Sequence, residues 1–230
     1  METTISARRS KGYKGLGMEG SIARWYAKNT GKDLEDIRRL AGALAGRLGP
    51  GSAVLEVAPG PGYLAIELAK LGPYRVVGLD ISRTFVRMAG ENARRAGVSV
   101  EFVHGNASAM PLDPDSFDLL VCRAAFKNFS EPVRALDEMH RVLKPGGEAL
   151  IIDLRRNVRA DEIDACVDGM GLGRFDGFMT RLIFRHSLIK RAYTADEFRG
   201  MAAASRFGSC TIQESGIGLE VMLRKGVTHP

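Results

Sequence analysis

Cysteine is scarce in this chain and tryptophan scarcer, with three of the former and one of the latter in 230 residues. Cys122, Cys166 and Cys210 lie far apart and form neither a Cys-x-x-Cys pair nor a cluster with histidine. That pattern excludes a structural zinc site and a disulfide framework, and predicts buried, reduced thiols. No stretch of 18 apolar residues occurs, and the first residues carry no apolar run. The expectation is a cytoplasmic protein without stable membrane insertion. Dense basic runs interleaved with aromatics are also missing. The net charge is +6, but the excess is scattered over Arg8, Arg9, Lys11 and Lys14 near the start and Arg181, Arg185, Lys190 and Arg191 late in the chain. No nucleic-acid partner is expected.

What remains is ordinary globular composition, 45% hydrophobic and 26% charged, enough for one domain over residues 1–230 with a substantial core. A polar, Gly-rich loose arm (1–18) precedes a segment 19–29 with Ile22, Trp25 and Tyr26 at helical spacing. A helix is predicted over 33–47, with Asp33 as N-cap and Leu34, Ile37, Leu40, Leu44 and Leu48 forming its apolar stripe. Strands at 53–57, 75–79, 99–103, 117–122 and 147–153 then alternate with helices at 62–70, 83–95 and 131–142, the pattern of a parallel sheet covered on both faces. Lys144-Pro145-Gly146-Gly147 reads as a turn into the fifth strand. Residues 160–191 are helical in character, Thr194 caps a further helix, and 209–215 and 219–224 form an antiparallel pair. The division is therefore arm and lid helices (1–48), cofactor-binding core (49–155), helical substrate cover (156–205) and terminal strand pair (206–230).

The most informative stretch is Val54-Leu55-Glu56-Val57-Ala58-Pro59-Gly60-Pro61-Gly62, followed by Val76-Val77-Gly78-Leu79-Asp80. An apolar strand enters a tight glycine loop, a helix follows, and a second strand ends on a carboxylate. This order surrounds a nucleoside-containing cofactor with backbone N–H groups and one acidic side chain. Gly60, Gly62 and Ala65 satisfy G-x-G-x-x-A, a fingerprint shared by pyridine-nucleotide and methyl-donor enzymes. Glu56 separates them. A dinucleotide sets an anionic pyrophosphate against the loop, where a carboxylate repels it. A sulfonium cofactor brings an ammonium group and a positive sulfur, which the carboxylate attracts. The expected cofactor is S-adenosyl-L-methionine, with Asp80 on the ribose hydroxyls and Ser82 capping the next helix. The competing reading of Glu56 is a solvated strand end.

In this order of motifs the chain resembles the class I S-adenosylmethionine-dependent methyltransferases, specifically the small UbiE-like group that methylates metabolites. The resemblance covers residues 50–155. Glu56 to Gly62 looks like the first motif, Gly78-Leu79-Asp80-Ile81-Ser82 the ribose loop, and Gly105-Asn106-Ala107 with Met110-Pro111-Leu112 the adenine loop. Ser116-Phe117-Asp118 opens the fourth strand, and Leu143 to Gly147 precedes the fifth. The resemblance implies an α/β, Rossmann-like seven-stranded mixed sheet with helices on both faces, an N-terminal helical lid and a helical insertion after the fifth strand. It implies cofactor contacts from Glu56, Ala58, Pro59, Gly60, Gly62, Asp80, Ile81, Asn106 and Ala107, and from Tyr26 in a lid over the donor. Three departures stand out. Ala58 replaces the first glycine and is expected at negative φ. Asn106 replaces an acid and is expected to meet the adenine amine through its carbonyl oxygen. Phe126-Lys127-Asn128-Phe129 stands where relatives often carry His-His.

Methyl transfer is an in-line displacement, so the protein mainly holds a nucleophile about 3 Å from the methyl carbon and excludes water. Candidates must reach the crevice beyond the strand ends, which restricts them to Arg123–Phe129, Asp153 and the lids. Lys127 is the first catalytic candidate, as a neutral amine or a clamp for a substrate carboxylate. Tyr193 is the second, reaching into the pocket from the opposite side. Arg123 is expected to line the cofactor or meet a substrate anion. His186 reads as a surface residue and His140, on the helix opposite the crevice, as structural or solvated; no carboxylate constellation calls for a metal. Phe175, Phe178, Met179, Leu182 and Phe184, mixed with basic residues, are expected to cover an apolar small-molecule acceptor bearing an anionic group. A second reading lays this helix on a membrane surface. Three other functions stay open, a non-catalytic methyl-donor-binding scaffold, an NAD-dependent oxidoreductase, and a methyltransferase acting on protein or nucleic acid. The second lacks the Tyr-x-x-x-Lys relay of short-chain dehydrogenases, and a base-flipping methyltransferase would show Asn/Asp-Pro-Pro-Tyr where this chain has Arg123-Ala124-Ala125-Phe126.

Overall fold

Short apolar strands bounded by Gly and Pro need cover on both faces, and the computed structural model, which describes residues 12–14, 19, 20, 23, 24 and 34–227, supplies it. The chain runs α1 (Leu34–Ala45), β1 (Ala53–Val57), α2 (Tyr63–Leu71), β2 (Arg75–Asp80), α3 (Arg83–Ala96), β3 (Glu101–His104) and β4 (Phe117–Arg123). It continues through α4 (Pro132–Val142), β5 (Leu143–Leu154), α5 (Ala160–Gly169), α6 (Arg174–Ile183), α7 (Ala195–Ala204), β6 (Thr211–Ser215) and β7 (Gly218–Arg224). A π-helical turn, Phe184–Leu188, and the single turn Ile189–Arg191 prolong α6. The seven strands lie in the order β3-β2-β1-β4-β5-β7-β6, with β7 antiparallel to both neighbours.

Successive strand residues point to opposite faces, and both faces are buried. Leu55, Val77, Leu120 and Ile151 pack with Leu136 and Met139 of α4 and Phe198 of α7. Their neighbours Val54, Val76, Leu119 and Leu150 pack with Ile37 and Leu44 of α1 and Leu64 and Leu68 of α2. The expected caps are present: the Ser82 hydroxyl accepts the Phe85 N–H at 3.1 Å, and the Thr194 hydroxyl accepts the Glu197 N–H at 3.2 Å.

Several expectations need correction. The Lys144–Gly147 turn is a bulge inside a longer strand, because β5 starts at Leu143 and its register against β4 shifts between Phe117 and Leu119. Strand β3 starts at Glu101 rather than 99. Cys122 is buried, whereas Cys166 and Cys210 are only half-buried. The arm is not wholly loose: Tyr13 bridges to Phe129, and the Lys14 N–H donates to the Asn128 carbonyl at 2.7 Å. Gly20, Ala23 and Arg24 are helical, as predicted for 19–29, while Ile22, Trp25, Tyr26 and the Asp33 cap lie outside the described residues. Among the described residues no helix is long and apolar enough to cross a membrane.

Candidate active site

The strand order reverses between β1 and β4, and the loops leaving these two strands part to open a crevice at their carboxyl ends. It holds a cavity of about 520 Å³. Each strand is followed by an alanine in the left-handed region, Ala58 at φ 59° after β1 and Ala124 at φ 57° after β4. The Ala58 N–H donates to the Leu79 carbonyl at 2.8 Å and the Ala124 N–H to that of Ile152 at 2.7 Å. Each chain thus ties itself to the neighbouring strand before turning away. The expectation of a negative φ for Ala58 is therefore wrong: the alanine holds a left-handed conformation that favours glycine, at a cost of about 1–2 kcal/mol.

Glu56 is 4% exposed, which rules out the solvated strand end. Its Oε2 accepts the Ala65 N–H at 2.9 Å, one of the donors that the first turn of α2 leaves without a helical partner. Burial pushes the carboxyl up to about 7, against the opposing pull of the Ala65 bond and the Arg123 guanidinium. Asp80 is 5% exposed and accepts the Gly60 N–H at 3.0 Å and the Ser82 N–H at 2.8 Å; burial raises it to about 6. The Gly62 N–H donates to the Pro59 carbonyl at 3.0 Å, and Pro61 has no N–H to offer. The N–H groups of Gly60, Gly62 and Ala65, which a pyrophosphate would use, are thus occupied by the protein's own oxygens. Two buried carboxylates face the cavity instead and favour ammonium and hydroxyl partners. S-adenosylmethionine fits these residues; a dinucleotide does not.

Of the expected cofactor residues, Glu56, Ala58, Pro59, Gly60, Asp80, Ile81, Asn106, Ala107 and Arg123 line the cavity. Gly62 does not. At φ +82°, a Cβ there would stand 2.8 Å from the Phe102 ring and 2.9 Å from Ala89, so this glycine seats α2 against β3 and α3. The Asn106 carbonyl oxygen accepts the Ser108 N–H at 2.9 Å, closing its own loop. Lys127 lines the cavity but is 4% exposed. Its ammonium donates to Asp153 Oδ1 and the Ala124 carbonyl, each at 2.7 Å, and Asp153 Oδ2 accepts the Lys127 N–H at 3.0 Å. Neither a surface lysine nor a free amine is present; the side chain fastens the loop after β4 to the end of β5. Tyr193 is not on the cavity wall. Its ring packs edge-on against Phe126 and Phe198, and its hydroxyl accepts from Lys14 Nζ at 2.8 Å.

The cover also differs from expectation. Phe184, Leu188 and Arg191 line the cavity, whereas Phe175, Phe178, Met179 and Leu182 are absent from its wall. Tyr13, placed by its pairing with Phe129, lines the cavity and feels both Arg191 and Asp80; burial raises its hydroxyl above 10.0.

A family profile described as a methyltransferase domain matches residues 55–151. In overall fold the chain is similar to an S-adenosylmethionine-dependent methyltransferase of Methanococcus maripaludis, with a TM-score of 0.74 at 19% identity over 94% of this chain and 97% of that one. The middle of the chain, residues 55–151, is thus similar to methyltransferase domains. A second such enzyme, from Aquifex aeolicus, gives a TM-score of 0.60 at 20% identity over 84% of this chain and 98% of that one. In sequence, the ubiquinone/menaquinone biosynthesis C-methyltransferase UbiE of Escherichia fergusonii is 34% identical over 112 residues, 47% of this chain and 45% of that protein. The chain thus spans about half the length of the curated relatives it matches.

Sequence reasoning about the site missed Tyr13 and the Lys127–Asp153 pair. Tyr13 stands among glycines, Gly12-Tyr13-Lys14-Gly15, and an isolated aromatic in such a segment was the available signal. Lys127 and Asp153 were both candidates by position, but nothing local indicates that they bond to each other.

Proposed function

We propose that this chain transfers the methyl group of S-adenosylmethionine to a small, mainly apolar acceptor carrying an anionic or acidic hydroxyl group. The capture of the Gly60 and Ala65 N–H groups by Asp80 and Glu56 carries the cofactor assignment. When bound, the cofactor supplies a methyl group already activated by its sulfonium. Glu56 offers a carboxylate to its ammonium, Asp80 accepts from its ribose hydroxyls, and Ile81, Asn106 and Ala107 flank the base.

The acceptor assignment rests on the remaining walls. Phe129, Leu154, Phe184 and Leu188 supply apolar surface, Arg191 a cation and Tyr13 a hydroxyl. The Tyr13 phenol, like any phenol, is protonated at neutral pH, and burial shifts it further the same way, so it serves as a hydrogen-bond donor to an acceptor oxygen. Lys127 and Asp153 shape the wall through their mutual bond rather than by moving a proton. The chain's contribution is therefore orientation and exclusion of water. The Escherichia relative is named for quinone biosynthesis, but Phe126 to Phe129 depart from the family pattern beside the reaction site, so the acceptor class here is drawn from the walls alone. Nucleic acid is not expected as acceptor.

Calorimetry with S-adenosylhomocysteine, set against NAD and NADH, tests this reading. Binding of the first with no heat from the others is expected; the reverse overturns it. Activity with an identified acceptor is expected to be the same with and without EDTA.

A further inference from the structure

The apolar stripe of an amphipathic helix normally faces the core, and α6 reverses this. Phe175, Phe178, Met179, Leu182 and Ile183, spaced at i, i+3, i+4, i+7 and i+8, are 75%, 62%, 36%, 42% and 47% exposed. With Met170 and Leu172 they make up seven of the nine large apolar side chains exposed among the described residues. The opposite face is the anchored one. Gly177 is its buried residue, Arg181 bonds to Asp164 at 3.0 Å and to Asp168 at 2.5 Å, and Arg185 bonds to Asp164 at 2.8 Å. Those acids of α5 neutralise the inward cations. Exposed Arg174 directly precedes the stripe and exposed Lys190 follows the π turn; among the described residues no acidic side chain bonds to either, and exposed Asp176 is the acid beside the stripe.

We propose that the outward face of α6 docks on an anionic lipid surface and that an apolar acceptor enters the cavity from there; the second half rests on the methyl-transfer reading above. Three observations select lipid. Arg174 and Lys190 outnumber Asp176 and complement anionic headgroups. The face is also small. A 10-residue helix is about 15 Å long and about 10 Å wide, far below the roughly 800 Å² per partner of a stable dimer. Protruding aromatic and aliphatic side chains on such a narrow ridge suit insertion at a headgroup boundary. Finally, the same run of chain leads inward: beyond the stripe, the π turn carries Phe184 and Leu188 onto the cavity wall. Apolar side chains thus continue along the chain from the exposed ridge to the cavity wall.

Co-sedimentation of the full chain with phosphatidylglycerol-containing vesicles, compared with pure phosphatidylcholine vesicles, tests the docking. Partition onto the anionic vesicles is expected to be about tenfold or more greater. Phe175→Ser/Phe178→Ser is expected to abolish that preference while S-adenosylhomocysteine affinity and Tm stay at the parent values, since neither residue touches the cavity. No binding by the parent, or binding that the double variant leaves unchanged, overturns the proposal. So does a dimer in sedimentation equilibrium that the double variant dissolves, which would assign the face to a second copy. A chain that binds vesicles but not S-adenosylhomocysteine would refute the methyl-transfer reading and leave the docking intact.

Discussion

Replacing Glu56 by glutamine separates the charge of this side chain from its shape. The amide oxygen still accepts the Ala65 N–H, but the side chain no longer ionises. In the parent, burial moves the carboxyl from 4.5 to about 7. A carboxyl raised on folding binds its proton more tightly in the folded chain. Stability is therefore greatest below 4.5, declines as the pH climbs from 4.5 through about 7, and levels off above. At about 1.36 kcal/mol per pH unit, the full loss is ~3 kcal/mol. Glu56→Gln lacks this loss, although its buried NH₂ group costs about 1–3 kcal/mol at every pH. About 2.5 kcal/mol of that loss falls between pH 5 and pH 8, so over this range the difference in Tm between variant and parent, without ligand, should move in the variant's favour by roughly 5–10 °C. Ligand affinity should move the other way. Losing a charge-assisted bond of ~1.5–3 kcal/mol weakens S-adenosylhomocysteine about 10- to 100-fold at pH 8. The parent's own affinity should fall toward pH 5 as Glu56 and Asp80 take up protons. Differential scanning calorimetry and isothermal titration read these quantities. Parallel Tm–pH curves together with parent-like affinity at pH 8 would refute the idea that a buried carboxylate selects the cofactor.

Lys127→Met leaves the buried Asp153 carboxylate without its cation and should cost about 3–5 kcal/mol, whereas Lys127→Met/Asp153→Leu should recover most of that in thermal melts. Ala58→Gly should raise Tm by roughly 2–4 °C by relieving a left-handed alanine, while Gly62→Ala should lower it by at least as much through contact with Phe102 and Ala89.

The sheet was readable because its signal is local. Val54 to Val57 and Val76 to Asp80 are short apolar runs ended by Gly, Pro or Asp, and the observed strands match the expected ones closely at both positions. Pro145-Gly146-Gly147 misled because such residues usually break a strand. Here Gly146 N–H donates to the Lys225 carbonyl at 3.0 Å and Lys225 N–H to that of Gly147 at 2.9 Å. Distant pairing therefore carries the strand through its own punctuation. Tyr13 was hidden for the same reason, since its place depends on Phe129. Periodicity revealed the stripe on α6 but not whether the stripe faces inward, because spacing carries no sign. The carboxylates of the cofactor loop were legible as residues. Their bonds to the loop's own N–H groups, which decide between two cofactors, were not.

The position of β7 has a consequence for biosynthesis. Leu219, Val221 and Leu223 are at most 1% exposed, and their strand lies between β5 and β6. Until residues 218–224 leave the ribosome, β5 has a bare edge and one face of the hydrophobic interior lacks a wall. A nascent chain stalled before Gly218 therefore exposes sticky surface however well its first five strands have formed, and a premature stop there should send the product to chaperones or proteases.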